Sequence, residues 1–380
     1  MKKISRLLAV SAVIAFLIST CFVSTAVSQA SDQGQLTFKK LGQIDTGSNG
    51  NVKGVEVIGN IAYVADFCLG FKTYDISNPK NPLELDTLDH PNYYDPDAKG
   101  GHSLVIRNDT AIVDFTHGGI KLVNISDPAD LREIGSFYIS GVEYYGLILD
   151  GDLVYTVVQH RDERDELLLI DISDIADPIE AGRYSNGHSI AIDHAYEGFA
   201  CVHDENIDKL LCLDVTDPTN VTEISGVEYF GTEFLSDVEI SGNQAYVGSG
   251  GQRLSIYDMS TLSAPLLLAQ HDIGYAPDVD LAGDLVFAAL FDRGFKVFNA
   301  SGTDLVEIGH YNSGGESINV CVQNSIAYVA KFLTQTIEIV QIQGLAGETR
   351  QTPGFDLHLF VFLTIPCLVT IRWKRKSVLE

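Results

Sequence analysis

The sequence predicts an all-β fold, a seven-bladed β-propeller in which the N-terminal strand closes the ring. Three observations support this prediction. Short apolar segments recur in sets of four, the sets repeat at intervals in the forties, and the one segment that the last set lacks stands before the first set. Outside the two chain ends, no long segment has the periodicity of a helix.

The most regular segment of each set, strand c, is an apolar run that ends in a turn of the type Asp-Ile-Ser. A clear copy is ELLLIDISD at 166–174. The other copies are KTYDISN at 72–78, KLVNISDP at 121–128, LLCLDVTDP at 210–218, LSIYDMS at 254–260, FKVFNAS at 295–301 and, in degenerate form, TIEIVQI at 336–342.

Strand b, a second apolar segment, precedes strand c in every set. Its aromatic or Ile anchors stand at positions 63, 112, 155, 199, 246, 287 and 328, which are 41 to 49 residues apart. An interval of this size is the length of one four-stranded propeller blade.

Strands a and d complete each set. Strand a precedes strand b, as at 54–58, and strand d follows the turn, as at 132–137. The seventh set has no strand d, whereas residues 40–45 match the strand d pattern and precede the first set. We therefore expect 40–45 to pair into the last blade, because closing the ring removes sheet edges that would otherwise be exposed.

The run LLLIDISD at 167–174, with the Tyr-Val-Ala-Asp of strand b and the Asp-Pro after several turns, resembles the LVIVD-repeat family of β-propeller proteins. The resemblance extends from about Leu41 to Ile342, although Asn replaces the Asp of the motif at 124 and 299. It implies a propeller on an extracellular or cell-surface protein, and it implies no particular biochemical activity.

Composition narrows the class of partner. The chain has 380 residues and a formal net charge of −26. The repeats indicate one propeller domain over residues 35–343. A strongly acidic surface repels phosphate backbones, so we expect no nucleic-acid partner. The charge is explained by solubility or a salty environment, with dedicated cation binding as the alternative.

The N-terminal segment, residues 1–30, has the layout of a secretory signal peptide. Lys2, Lys3 and Arg6 precede an apolar run over 7–23, and small residues follow as far as Ala30. This order of charged, apolar and small residues predicts export, with an uncleaved anchor as the alternative.

The C-terminal segment predicts a membrane anchor. A linker at 344–356 leads into an apolar segment at 357–373, predicted to be a transmembrane helix, and a basic cytoplasmic tail follows at 374–380. Pro353-Gly354-Phe355 resembles the archaeal PGF-type C-terminal sorting signals, which implies that 357–373 is a sorting signal or a retained span. Both interpretations predict the membrane as a partner and a propeller on the outside of the cell.

Four cysteines and one asparagine are candidates for modification. Cys201 and Cys212 flank one hairpin, and Cys68 and Cys321 belong to units that ring closure makes adjacent. The pattern leaves disulfides and free thiols open. Asn220, in Asn-Val-Thr, is the candidate glycosylation site.

The candidate ligand-binding residues stand where strand a opens, which we expect at one mouth of the central channel. His102 and His188 occur in near copies two units apart, each as Gly-His-Ser, and Asp237, Asp278 and Glu316 complete the arc. Imidazole and carboxylate groups bind divalent cations, so His102, His188, Asp237 and Asp278 are candidate metal ligands. The alternative is that these side chains cap strand ends and bond to neighbouring backbone groups.

The function is less determined than the fold. The chain has no nucleophile elbow, His-Glu-x-x-His, paired Cys-x-x-Cys or phosphate-binding glycine loop, so no catalytic residue is assigned. The leading hypothesis is a cell-surface, membrane-anchored β-propeller that acts as a binding module for a protein, a glycan or a small ligand. The first alternative is an enzyme, a metal-assisted hydrolase or lyase that uses a divalent cation at the channel mouth. The second alternative is a self-associating component of a surface layer.

Overall fold

The structure, a computed structural model, describes most of the predicted propeller. The described residues are 35–47, 51–89, 101–115, 117–160, 165–188, 190–196, 198–204, 209–228, 235–249, 253–300, 304–331 and 334–344. The predicted signal peptide, the predicted membrane segment, the basic tail and most of the linker lie outside these residues. Among the described residues, no helix has the length and apolar character that crossing a membrane requires.

The described residues form seven antiparallel sheets of four strands, which are the seven predicted blades. The chain begins with β1 (Thr37–Asp45), and blade 1 contains β2 (Val52–Ile58), β3 (Ile61–Asp66), β4 (Gly70–Asp75) and β5 (Leu83–Leu88). Blade 2 contains β6 (Gly101–Arg107), β7 (Thr110–Phe115), β8 (Gly119–Asn124) and β9 (Arg132–Phe137). Blade 3 contains β10 (Val142–Asp150), β11 (Leu153–His160), β12 (Asp165–Asp171) and β13 (Ile179–Tyr184).

The remaining blades follow the same order of strands a, b, c and d. Blade 4 contains β14 (Ile190–Tyr196), β15 (Phe199–Asp204), β16 (Lys209–Asp214) and β17 (Thr222–Glu228), with a 3-10 turn at Pro218–Asn220. Blade 5 contains β18 (Leu235–Ser241), β19 (Gln244–Ser249), β20 (Arg253–Asp258) and β21 (Leu266–Asp272). Blade 6 contains β22 (Asp278–Ala282), β23 (Leu285–Leu290), β24 (Gly294–Asn299) and β25 (Val306–Tyr311). Blade 7 contains β26 (Ser317–Gln323), β27 (Ile326–Lys331), β28 (Thr336–Gln343) and, as its outermost strand, β1.

Ring closure by the N-terminal strand is confirmed. β1 pairs antiparallel with β28, with Thr37 opposite Gln343 and Asp45 opposite Thr336. The strand begins three residues before the predicted 40–45. Each strand a lies beside the strands a of both neighbouring blades, including β2 beside β26, so the ring has no open joint.

The apolar core is divided among the joints between blades. The buried apolar side chains of the described residues form seven clusters, and each cluster combines residues from two adjacent blades. Strands b and c are buried on both faces, as in β7, because each blade is packed between two others. This arrangement explains why strands b and c read as continuous apolar runs rather than as alternating patterns.

Backbone contacts also join the blades. The carbonyl of Pro79, in the turn between strands c and d of blade 1, lies where a Cβ on Gly42 of β1 would stand, at a distance of 1.6 Å. Gly135 and Gly182 receive the turns of the following blades in the same way, with Ile175 O at 1.8 Å and Pro218 O at 1.7 Å. The joint between β1 and blade 1 therefore has the same construction as joints where the chain is continuous.

The two faces of the ring differ. The variable face, as we call it, carries the connections from b to c and from d to a; the latter range from four residues at 138–141 to twelve at 89–100. The uniform face carries the turns from a to b, which all have two residues, and the turns from c to d. Because Thr37 is opposite Gln343, the propeller's first and last strands both meet the rest of the chain at the uniform face.

Candidate functional site

All five predicted ligand-binding residues lie at the variable face, as the alignment of strands a predicted. His102 and Asp278 are at the start of β6 and β22, Asp237 is two residues into β18, and His188 and Glu316 precede β14 and β26. The side chain of His102 is outside the described part of the structure. The structure therefore places these five positions at one face of the ring, while their ligand-binding role stays a prediction.

His188 is held by a buried carboxylate. Its Nδ1 lies 2.7 Å from Oδ2 of Asp204, at the end of β15, and the Asp204 side chain is fully buried whereas that of His188 is 37% exposed. Asn186 Nδ2 donates to the same oxygen at 2.6 Å. Because a carboxylate accepts hydrogen bonds, Nδ1 carries the hydrogen, and Nε2 of neutral His188 is left with its lone pair.

Asp237 and Asp278 link neighbouring blades. Asp237 Oδ2 accepts a hydrogen bond from the backbone N–H of Val279 at 2.8 Å, and Asp278 Oδ2 accepts from Val320 N–H at 2.8 Å. Asp278 Oδ1 also accepts from Asn319 Nδ2 at 3.0 Å. Strand a is the innermost strand of its blade, so the N–H groups on its channel-facing edge have no neighbouring strand to bond with. These carboxylates supply the missing acceptors. This is the alternative role that the sequence left open.

The same link is repeated deeper in the channel. Asp280 Oδ2 accepts from the backbone N–H of Val322 at 2.8 Å, and its side chain belongs to a residue that is 5% exposed. Together with Asp237 and Asp278, this carboxylate joins blades 5, 6 and 7 along the channel wall. Glu316 is half-buried and makes no hydrogen bond or ion pair with another residue in the described ranges.

A second imidazole at the variable face also faces a carboxylate. His117, in the turn between β7 and β8, places Nε2 3.4 Å from Glu143 Oε1 of β10. The phenol of Tyr145 donates to the other oxygen, Glu143 Oε2. Burial, the hydrogen bond to Glu143 and the charges of Glu143, Asp165 and Asp114 raise the pKa of the Tyr145 phenol. The phenol therefore stays protonated and acts as a donor.

A β-bulge brings these groups into position. The pairing of β10 with β11 shifts between Tyr145 and Ile148, and Gly146 within the bulge has φ +71°, a conformation that glycine adopts without strain. We call this cluster the blade 2–4 arc; it comprises His117, Glu143, Tyr145, Asn186, His188 and Asp204. The arc offers two imidazoles and a phenol, each oriented by a carboxylate.

The metal prediction gains no support from side-chain geometry. No three His, Cys, Asp or Glu side chains of the described residues are placed so that they could hold one metal ion. The candidate set of His102, His188, Asp237 and Asp278 stays a prediction, since the His102 side chain is outside the described ranges. Asp204, which binds Nδ1 of His188, is the kind of outer partner that metal-binding imidazoles have in proteins.

Five of the turns from strand c to strand d share the same hydrogen bond. Asp75 Oδ1 accepts from Ser77 N–H at 2.8 Å, and Asp171, Asp214, Asp258 and Asn124 accept in the same way from the residue two positions later. The Ser77 N–H lowers the pKa of the Asp75 carboxyl. The apolar residue between them is buried, as in Ile76, whose N–H donates to Asn60 O of the adjacent a–b turn at 2.8 Å.

Comparison with known families agrees with this geometry. The family model described as the LVIVD repeat matches residues 49–89, 149–186, 189–228 and 235–272, which span blades 1, 3, 4 and 5. Four of the seven blades therefore contain LVIVD repeats. In an LVIVD repeat of this chain, the apolar residues fill the joints between blades and the terminal Asp caps a turn at the uniform face. The motif itself is thus structural, and the chemistry of the variable face comes from residues outside it.

Other comparisons add the fold alone. The chain is similar to the crystal structure of the computationally designed Ika8 protein, with a TM-score of 0.55 and 13% sequence identity. The similarity covers 80% of this chain and 99% of that chain. A search of curated proteins gives no match.

The LVIVD pattern explains which site residues the sequence missed. Asp204 and Asp66 occupy the same position at the end of strand b, where the sequence alone indicates a turn residue. For Asp66 this is correct, because its Oδ1 accepts from the N–H groups of Asn51, Cys68 and Leu69. Asp204 instead binds His188, and the only signal in the sequence is the His-Ser step eleven residues before strand b of the same blade.

Proposed function

We propose that this LVIVD-repeat propeller is an exported, membrane-anchored interaction module that binds its ligand at the variable face. The observation that carries the proposal is the difference between the faces. The uniform face consists of short turns of nearly constant length, whereas connections of unequal length and the oriented side chains of the blade 2–4 arc are on the other face. Loops of varied length on a rigid scaffold are where proteins place binding residues.

The direction of the chain supports the same choice of face. The propeller's first and last strands meet the rest of the chain at the uniform face, so the predicted signal peptide and the predicted anchor are both attached on that side. The variable face has no such attachment. The blade 2–4 arc is therefore on the face opposite to the two points of attachment.

The arc suggests the chemistry of the ligand. The arc presents the carboxyl group of Glu143, the phenol of Tyr145 and two imidazoles, and the neutral form of His188 offers Nε2 as an acceptor. These groups suit a ligand that carries hydroxyl or ammonium donors, such as a glycan or a basic peptide, and they repel phosphate.

Two experiments test the proposal. The first labels intact cells with a membrane-impermeant amine reagent; exposed lysines such as Lys80 are expected to react before lysis, and labelling that requires lysis would refute export. The second probes an array of glycans and short peptides with the full-length chain in detergent. We expect a signal that falls at least tenfold in His188→Ala or Glu143→Gln and is unchanged in Lys80→Ala, the control on the uniform face. A signal lost in Lys80→Ala and retained in the arc variants would refute the choice of face.

The alternative activity, a metal-assisted hydrolase or lyase, has one observation in its favour. A neutral imidazole with Nδ1 bound to a buried carboxylate, as in His188 with Asp204, presents Nε2 to a metal ion in many metal sites. Metal analysis of the purified full chain decides between the two. A stoichiometric divalent metal that is lost in His188→Ala would favour the enzyme, and its absence leaves the binding module.

A further inference from the structure

Two cysteines of blade 4 face each other across adjacent strands. Cys201 of β15 is directly opposite Cys212 of β16. The pair at the end of this hairpin, Gly198 and Val215, is hydrogen-bonded, since Val215 N–H donates to Gly198 O at 2.9 Å. Hydrogen-bonded and non-hydrogen-bonded pairs alternate along an antiparallel ladder, so Cys201 and Cys212, three positions further, form a non-hydrogen-bonded pair.

This position satisfies the geometric requirement for a disulfide. In a non-hydrogen-bonded pair the Cα atoms are about 4.5 Å apart and the side chains are close together. A disulfide requires Cα atoms roughly 4.4 to 6.8 Å apart. The two thiols already interact, because a hydrogen bond from Cys201 lowers the pKa of the Cys212 thiol against the opposing effect of burial, and a hydrogen bond from Ser225 acts in the same direction.

We propose that Cys201 and Cys212 form a disulfide when the chain folds in the presence of a disulfide oxidant, as on the outside of the cell. The Cys212 thiolate attacks an oxidant of the disulfide class, such as glutathione disulfide, and releases one thiolate. The Cys201 thiolate then attacks Cys212 Sγ in the mixed disulfide and releases the second. The protein loses two protons and two electrons, and the oxidant becomes two thiols.

The burial of the pair indicates when the bond forms. Both cysteines are fully buried in the cluster between blades 4 and 5, against Val238, Ala245 and Val247. The β15–β16 hairpin is local in sequence, whereas its cover comes from the next blade, so the thiols meet before blade 5 shields them. Once formed, the bond braces β15, whose last residue is Asp204, the partner of His188.

Peptide mapping of the full chain tests the proposal. One sample is isolated from the membranes of cells that export it, with N-ethylmaleimide present throughout, and a second is refolded with glutathione disulfide. Lys209 stands between the two cysteines, so trypsin gives one peptide over 184–209 and another over 210–253. We expect these peptides to be linked, with a mass lower by two hydrogen atoms than their sum, and to separate on reduction.

The outcomes are distinct. A linked pair in either sample supports the proposal, whereas alkylation of both cysteines in both samples, or a link to Cys68 or Cys321, overturns it. Exposed Cys68 is the internal control, because it is expected to react with the reagent in every sample. Reductant is expected to lower the unfolding midpoint of the wild type and to leave that of Cys201→Ala/Cys212→Ala unchanged. The disulfide proposal depends on the proposed export only as the source of the oxidant. A linked pair in the refolded sample alone, with no surface labelling of intact cells, would refute export and still support the disulfide.

Discussion

The contact between Gly42 and Pro79 predicts that ring closure requires a residue without a side chain at position 42 of β1. In Gly42→Ala the new Cβ would stand 1.6 Å from Pro79 O and 2.6 Å from Pro79 C. A carbon and an oxygen in van der Waals contact are about 3.4 Å apart, so one backbone segment must move by almost 2 Å. Overpacking of this kind costs typically 1–3 kcal/mol, and since the new Cβ meets a backbone carbonyl, which has no rotamer to change, we expect about 3 kcal/mol.

The assay for Gly42→Ala is chemical unfolding together with limited proteolysis. We expect the free energy of unfolding to fall by about 3 kcal/mol. Trypsin cleavage after Lys39 and Lys40, which lie on β1, is expected to accelerate because the strand is released from β28. The matched control is Gly54→Ala, where the nearest atom to the new Cβ is a side-chain carbon of Leu104 at 3.4 Å. Equal stabilities for the two variants would refute the reasoning.

Three further predictions concern buried or partly buried polar groups. Buried Glu338 accepts hydrogen bonds from Lys40 Nζ at 2.8 Å and Tyr311 Oη at 3.0 Å, and it lies 3.8 Å from buried Lys331. Glu338→Gln is therefore expected to lower the free energy of unfolding by about 2–3 kcal/mol, measured by chemical unfolding. Glu307→Gln, which changes the exposed partner of an ion pair, is expected to lower it by less than about 1 kcal/mol, and equal losses in the two variants would refute this reasoning. Asp278→Ala removes the acceptor of Val320 N–H, so it is expected to lower the free energy of unfolding by about 2 kcal/mol and to speed hydrogen exchange at the Val320 amide. Asp292→Ala, on the surface, is expected to leave the stability and the exchange rate unchanged. An unaltered exchange rate in Asp278→Ala would contradict the link between the blades. Burial lowers the pKa of His194 to about 4, below the value of about 6.5 in the unfolded chain, so the unfolded state binds the extra proton and stability falls as the pH drops from about 6.5 to 4. Comparison of unfolding at pH 7.5 and pH 4.5 is expected to show about 2 kcal/mol less acid destabilisation in His194→Gln, and the same pH dependence in both proteins would show that His194 is not the cause.

The fold was predictable because the repeat carries it. Apolar strands b and c fill the joints between blades, and the Asp of each turn caps the same backbone N–H, so the pattern in the sequence directly reflects packing. Ring closure could be predicted from the number of strands, because the last set lacked strand d and residues 40–45 matched its pattern. The errors were in boundaries; β2 begins at Val52 rather than at position 54, and its pairing with β3 is irregular between Val52 and Gly54.

Only the position of the candidate residues was predictable. The alignment placed His188 and the two aspartates at one face of the ring, as the structure has them, but a one-dimensional pattern does not show which neighbour a polar side chain meets. Asp237 and Asp278 bond to the adjacent blade forty-two residues later, and His117 meets Glu143 of the next blade through a turn that has no periodicity. These partners depend on the angle between blades and on a local bulge, which the spacing of apolar residues does not encode.

The pairing of Thr37 with Gln343, 306 residues apart, has a consequence for biosynthesis. Of the described strands, β1 is synthesised first and β28 last, and the two must pair to close the ring. The ring is therefore completed only after β28 has been synthesised. Until β28 has been made, β1 and the outer edge of β27 have no strand to pair with, and unpaired strand edges invite association with other chains. A stop codon before residue 336 would remove β28, and the truncated product would leave β1 and β27 permanently without their shared neighbour.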